Sequence, residues 1–311
     1  MLLAAGGVVA GVGSAGGGGW QPLTPSPLAR TEVGAGRIGD RIYVVGGFTT
    51  DQRSTNQMAR YDISDDSWEM ADPLPVATNH PGVTAYRHHL FVLGGFRDDS
   101  TPRDDFFRYH PDREPDERWE RVPDSPIARG ALVLGGHAGR IYAAGGRSAE
   151  TGELTDLYVY DIRKRRWTKA RDMPTGRNHI AGDFVDGRLH VIGGRTDDGT
   201  NLATVERYDP QRDRWKRLRP LTTPRSGHAI GVTPAGIAVF GGEQLNEGTQ
   251  TIAAAELIDP RNGESQPLAP MATPRHGLGG AAKGDSIYAA EGGPSPGFAF
   301  SSALETLTVR P

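Results

Sequence analysis

Six times along this chain a short run of β-branched, aromatic and alanine residues ends in a pair of glycines. The runs are IYVVGG (Gly46-Gly47), FVLGG (Gly94-Gly95), IYAAGG (Gly145-Gly146), HVIGG (Gly193-Gly194), AVFGG (Gly241-Gly242) and IYAAEGG (Gly292-Gly293). Successive pairs lie 48, 51, 48, 48 and 51 residues apart. Tryptophan keeps the same beat at Trp20, Trp68, Trp119, Trp167 and Trp215, and a sixth slot falls on Ser265. A repeat of about 50 residues marks an array in which each unit buries its apolar faces only against its neighbours. Residues 20–311 therefore read as one array, not as two unrelated domains.

The uneven intervals have local causes. Tyr61, Tyr160 and Tyr208 each precede their Trp by seven residues, whereas Tyr109 precedes Trp119 by ten, across the turn HPDREPDER. In the fifth unit the loop between Gly242 and Ile258 is longer than its counterparts, and Glu291 reads as one inserted residue before the sixth glycine pair. Each unit divides into four short strands. The first follows the position ten residues after the Trp slot, as over 32–38, and the second ends in Gly-Gly. The third ends in Tyr-Asp or a relative, and the fourth begins at Trp. YDISDDSW, YDIRKRRW and YDPQRDRW are hairpin turns by chemistry, because Asp bonds its own backbone and Pro fixes φ.

The sixth unit stops after its third strand, ALETLTV, with Leu307 in the Tyr slot, and the N-terminus supplies one spare strand, WQPL at 20–23. A ring closed by that strand has no free edge. With its Gly-Gly, Tyr and Trp at fixed spacing, the chain resembles kelch-repeat proteins, over residues 20–311. The resemblance implies an all-β, six-bladed β-propeller with four antiparallel strands per blade, closed by the N-terminal strand. The resemblance is to kelch proteins of the stand-alone bacterial type, whose architecture is often labelled galactose-oxidase-like. The radical cofactor of galactose oxidase needs a Cys–Tyr crosslink, which a chain without cysteine cannot form.

Composition narrows function further. The absence of cysteine removes disulfides, zinc–thiolate sites and thiol nucleophiles. A formal charge of −3 without a Lys/Arg block gives no nucleic-acid footprint. No run of 18 apolar residues follows the N-terminus, so no membrane span is expected. Residues 1–19 form a separate segment, uncharged and glycine-softened, with small residues Gly13, Ser14 and Ala15 closing an apolar stretch. It reads as an export-signal remnant, implying a secreted protein in the periplasm or outside the cell. The alternative is a flexible tail on a cytoplasmic protein.

The position ten after each Trp slot holds Arg30, Thr78, Arg129, Arg177, Arg225 and Arg275, followed nearby by Glu32, Asn79, His80, Asn178, His179, Ser226, His228 and His276. The resemblance places this junction at the mouth of the central channel, together with the loops carrying Phe48, Phe96, Arg97, Arg147, Arg195 and Glu243. Five arginines on one rim favour carboxylate or sulfate-like ligands. The ligand-binding set is then Arg30, Asn79, His80, Arg129, Arg177, Asn178, His179, Arg225, Ser226, His228, Arg275 and His276. The four histidines stand two, two, three and one residues past the slot, so alternation would point them apart, and no metal and no cofactor are expected. The acidic loops RDDSTPRDD and RTDDGTN lack calcium-ligand spacing and read as solvated.

Two functions follow. The first is a non-catalytic recognition propeller, a monomer that binds an acidic peptide, a partner protein or a glycan such as a sugar acid on the mouth face. The second is a carbohydrate enzyme. FGGEQLNEGTQTIAAAELID resembles the loop of bacterial sialic-acid mutarotases, which implies that Glu243 is a proton acceptor, with Arg225 and Arg177 available to the sugar carboxylate.

Overall fold

The computed structural model describes residues 18–245 and 248–310. Residues 1–17, which hold most of the expected export segment, lie outside them.

Six four-stranded antiparallel sheets follow one another around an axis. Blade 1 comprises Gly34–Ile38, Arg41–Val45, Met58–Asp62 and Ser67–Ala71, and blade 2 Gly82–Tyr86, His89–Leu93, Phe106–Tyr109 and Trp119–Val122. Blade 3 holds Val133–His137, Arg140–Ala144, Leu157–Asp161 and Arg166–Lys169, and blade 4 Ala181–Val185, Arg188–Ile192, Val205–Asp209 and Arg214–Arg217. Blade 5 consists of Ala229–Thr233, Gly236–Phe240, Ala255–Ile258 and Ser265–Leu268. Blade 6 takes Gly279–Lys283, Ser286–Ala290 and Leu304–Thr308 from the C-terminal part and Gln21–Leu23 from the N-terminal part. The register of that last pairing, Gln21 opposite Thr306 and Leu23 opposite Leu304, closes the ring. The first strand of each blade packs on the first strand of the next, and Gly279–Lys283 returns to Gly34–Ile38.

The core lies between blades. Tyr43, Val45 and Met58 of blade 1 pack on Leu90, Val92, Phe107 and Tyr109 of blade 2, and comparable layers repeat around the ring. Each Trp indole N–H donates to a carbonyl of the preceding blade, at Ala269 (Trp20), Thr24 (Trp68), Asp72 (Trp119), Pro123 (Trp167) and Arg171 (Trp215), over 2.8 to 3.1 Å. At the lapsed slot a hydroxyl pair, Ser265 with Thr222 at 2.9 Å, makes the inter-blade link. The extra residues between Tyr109 and Trp119 form a 3-10 turn, Pro115–Glu117.

The glycine pairs work through backbone conformation and close approach. In the first five pairs the first glycine has φ between 58° and 67° and the second between 90° and 100°. A Cβ on Gly94 would stand 2.2 Å from the Arg129 carbonyl of the next blade. The reading of Glu291 as an insertion is corrected here. Glu291 has φ 57° and occupies the first-glycine position, while Gly292 (φ 93°) occupies the second and donates its N–H to Arg30 as Gly47 does to Thr78. Gly293 then pairs with His276 as Phe48 pairs with Thr31. A left-handed φ is costly for a glutamate, and it persists because the surrounding contacts over-determine it.

Candidate functional site

The arginines expected at the mouth are interior struts. Arg30, Arg129, Arg177, Arg225 and Arg275 are each 0% exposed. Their guanidiniums run along the second strand of their own blade and donate to backbone carbonyls around its end. Arg275, for example, reaches Ala289, Glu291 and Ala303 at 3.2, 2.8 and 2.7 Å. Arg177, Arg225 and Arg275 also meet buried acids on the third strand, Glu206, Glu256 and Glu305. Tyr158 fills the acid's place in blade 3, and the Arg129 guanidinium stands 5.6 Å from its ring centroid. In blade 1 that place is Ala59, and Arg30 pairs instead with Glu291. Burying charge is tolerated because it is paired and hydrogen-bonded. Their expected ligand-facing role is thus corrected: none of the five lines the pocket.

His228 is corrected likewise. Its ring packs beneath Gly193 and beside Gly242, and neither nitrogen has a hydrogen-bond partner among the described residues. Burial, with the charges of Arg225 and Arg177, pushes its pKa down to about 3, so it is a neutral packing side chain. Ser226 is buried and supports Arg195 and Asn201 from behind (3.4 and 2.9 Å). Arg97 is exposed on its loop and does not line the cavity.

What the structure does bring together lies two residues past the slot. Glu32, His80, Ala131, His179, Gly227 and Gly277 occupy one equivalent position per blade, all with φ between 50° and 58°. From His80 to Gly277 each donates its N–H to the carbonyl of the preceding one over 2.8 to 3.0 Å, and Val33 closes the circle onto Gly277 at 3.1 Å. This belt of backbone hydrogen bonds lines a small cavity of about 80 Å³. Above it opens a cavity of about 570 Å³.

The floor of that cavity carries Glu32, His80, His179, His276, Glu243 and Arg195, and its wall Phe48, Phe96 and Phe298. His80 Nε2 stands 3.0 Å from Glu32 Oε2, and His276 Nε2 lies 3.4 Å from Glu32 and 3.8 Å from Glu243. Arg195 pairs with Glu243 and with His179 Nε2, the latter at 2.7 Å. Asn79 and Asn178 accept from Nδ1 of the adjacent histidine, each at 2.6 Å. Burial works to raise the Glu32 pKa, but the charge and hydrogen bond of His80, with His276 and His179 beyond, hold the carboxyl well below its usual range. Burial and the neighbouring Arg195 and His80 hold His179 neutral. Arg147 is paired with Asp197 at 3.1 Å, so the mouth is charge-mixed and not a cationic ring.

His80, Asn79, Asn178, His179, His276 and Glu243 line the cavity. Phe298 and Asp197 were missed. Phe298, 55% exposed and packed edge-on to Phe48 at 5.1 Å, sits in an irregular loop that no repeat position marks. Among the described residues the large exposed apolar side chains are Phe298 and Met70. No described helix is long and apolar enough to cross a membrane.

Comparison with known proteins agrees with this architecture. A search of curated protein sequences gives no match. Among solved structures, one titled "Structure of YjhT" superposes with a TM-score of 0.79 at 16% identity, covering 93% of this chain and 97% of the other. That likeness concerns the fold. The sequence profile of the KLHDC2/KLHL20/DRC7 Kelch-repeats domain matches residues 20–169 and 79–293, and the chain belongs to the kelch-repeat family.

Proposed function

We propose that this propeller is a recognition module that binds a glycan-class ligand in the cavity at the channel mouth. One observation carries the reading. A concave site of about 570 Å³ sets aromatic side chains (Phe48, Phe96, Phe298) against carboxylates, imidazoles and the guanidiniums of Arg147 and Arg195. Cavities of this size with apolar walls and a few convergent polar groups suit small ligands. A sugar ring offers C–H faces to aromatics and hydroxyls to Glu32, Glu243 and the histidines. An acidic ligand, peptide or sugar acid, has weaker support now that five arginines are interior. The guanidiniums that line the cavity, Arg195 and Arg147, are already paired with Glu243 and Asp197.

Glu243 in the cavity also favours a second reading, a mutarotase-like enzyme in which that carboxylate accepts a proton. A thermal-shift and calorimetric screen of neutral sugars, sugar acids and acidic peptides tests both. A ligand that binds the native state raises the melting temperature. Binding of a sugar, lost in Phe48→Ala and Phe96→Ala, supports recognition, and silence across both sugar classes would sink it. Accelerated anomer exchange by NMR, abolished in Glu243→Gln, would establish the enzyme.

A further inference from the structure

We propose that Glu32, His80 and His179 form a site for a divalent transition metal of the zinc class on the floor of the cavity. The site requires no sugar, so it stands or falls apart from the recognition reading. Oxygen and nitrogen donors of these three side chains all lie within 4.8 Å of one another. They meet because they share one repeat position. Two residues past the slot the backbone is left-handed in every blade, and the hydrogen-bonded belt fixes that position around the channel. The other three blades carry Ala131, Gly227 and Gly277 there, which offer no donor side chain, and the Glu32 carboxyl lies over Gly277. The histidine offsets that suggested divergence apply to His228 and His276; His80 and His179 share theirs.

Tautomer control strengthens the case. Asn79 Nδ2 donates to Ser54 Oγ (2.8 Å) and to the Phe96 carbonyl (3.1 Å), which orients the amide so that its oxygen faces His80 Nδ1. Asn178 Nδ2 donates to Asp197 at 3.0 Å and presents its oxygen to His179 Nδ1 in the same way. Both imidazoles therefore carry a proton on Nδ1 and turn Nε2 inward. Metal-binding histidines are braced by this arrangement, in which an outer acceptor fixes the ring and raises ligand basicity. At His80 the consequence is direct. His80 Nε2 stands 3.0 Å from Glu32 Oε2, a distance at which either a proton or a bound metal ion can lie between the two atoms. Two histidines and a carboxylate with an open side toward solvent are a known ligand set for zinc and for ferrous iron. Arg195, now on His179 Nε2, has Glu243 and Ser226 to hold it when a metal takes its place.

The test titrates the tag-free chain with Zn(II) against a chromogenic chelator, and records the visible spectrum with Co(II). Expected are one metal per chain and a d–d band for Co(II) in the unmutated protein. Affinity should fall by at least about tenfold in His80→Asn and in His179→Asn. Asparagine tolerates the left-handed backbone at both sites, which favours folded variants. Arg195→Ala, which removes the competing cation, should bind more tightly than the parent. His110→Asn, at the separate His110–Glu120 pair, should bind as the parent does. Absence of a Co(II) band in the unmutated chain would overturn the proposal. So would affinity unchanged in folded His80→Asn and His179→Asn, weaker binding in Arg195→Ala, or loss in His110→Asn.

Discussion

Glu291 grips Arg30 across the closure of the ring, with Oε2 2.7 Å from Nε and Oε1 2.9 Å from a terminal nitrogen, both side chains fully buried. The acid comes from blade 6 and the base from the segment entering blade 1, so this bidentate pair joins the two ends of the propeller. Ser26 adds a third contact, donating to Glu291 at 2.7 Å. Glutamate is tolerated at a glycine position because removing it would strand a buried guanidinium.

The first prediction follows from that pair. Glu291→Gly restores the glycine found in the other blades, which relieves backbone strain, yet it should destabilise by about 3–5 kcal/mol because it leaves Arg30 uncompensated. The double variant Arg30→Thr, Glu291→Gly, which imports the Thr78 solution of blade 2, should recover part of that loss. Urea unfolding of both singles and the double closes the cycle. Strict additivity would show that the pair is not the reason for glutamate here.

Trp20 should matter more than its place near the chain start suggests. It is 6% exposed, donates to Ala269 at 3.0 Å and meets Phe240 edge-on at 5.3 Å, in a cluster with Leu257, Met271 and Leu307. Trp20→Ala should cost about 3–5 kcal/mol, as for a large core side chain. Trp68→Ala, at a more exposed indole, should cost less. Denaturant midpoints decide it, and a Trp20→Ala loss below about 1 kcal/mol would mean that the closing strand is not holding the ring.

Much of this was legible in the sequence because a repeat reports itself. Gly-Gly, Tyr and Trp recur with the blades, and a spare Trp-led strand at 20–23 beside a sixth unit of three strands announced the closing strand. The slot arginines were placed correctly but assigned the wrong environment, since a guanidinium at a periodic position reads the same whether it lines a mouth or bridges carbonyls. A signal was present: Glu206, Glu256 and Glu305 follow their arginines by 29, 31 and 30 residues. Where the arginine is absent, at Thr78, the acid is absent too, replaced by Phe107. The convergence of Glu32, His80 and His179 was not legible, because it depends on left-handed φ values at non-glycine residues that no local preference predicts.

The struts should differ in what they cost to remove. Arg275→Met would leave Glu305, 5% exposed, without its cation, and should destabilise by about 3–5 kcal/mol. Arg129 has no acid partner: its Nε and one terminal nitrogen are unpaired among the described residues, and burial pushes its pKa down to about 10. Arg129→Met forfeits two carbonyl bonds, to Gly145 and Asp156, while relieving that desolvation. It should therefore be the milder change by at least about 1–2 kcal/mol. Equal losses in chemical denaturation would mean that carbonyl bridging alone sets the value of a strut.

Asp183, in the first strand of blade 4, gives a pH dependence whose sign can be fixed. It lines the channel with Thr84, Gly182 and Phe184, and burial raises its pKa from 3.8 to about 6, partly offset by the Phe184 N–H at 2.7 Å. The native state thus holds this proton more tightly than the unfolded chain does. The stabilisation is fully present below about pH 4 and is lost as pH rises through about 6. A shift of this size corresponds to an upper bound of about 3 kcal/mol, reduced by partial solvation of the side chain. Asp183→Asn keeps the shape and removes the charge, so the variant should gain on the parent between pH 5 and pH 8. Urea unfolding of both proteins at those two pH values measures the difference. A parent and variant that lose stability in parallel over that interval would show that Asp183 ionises without cost in the folded channel.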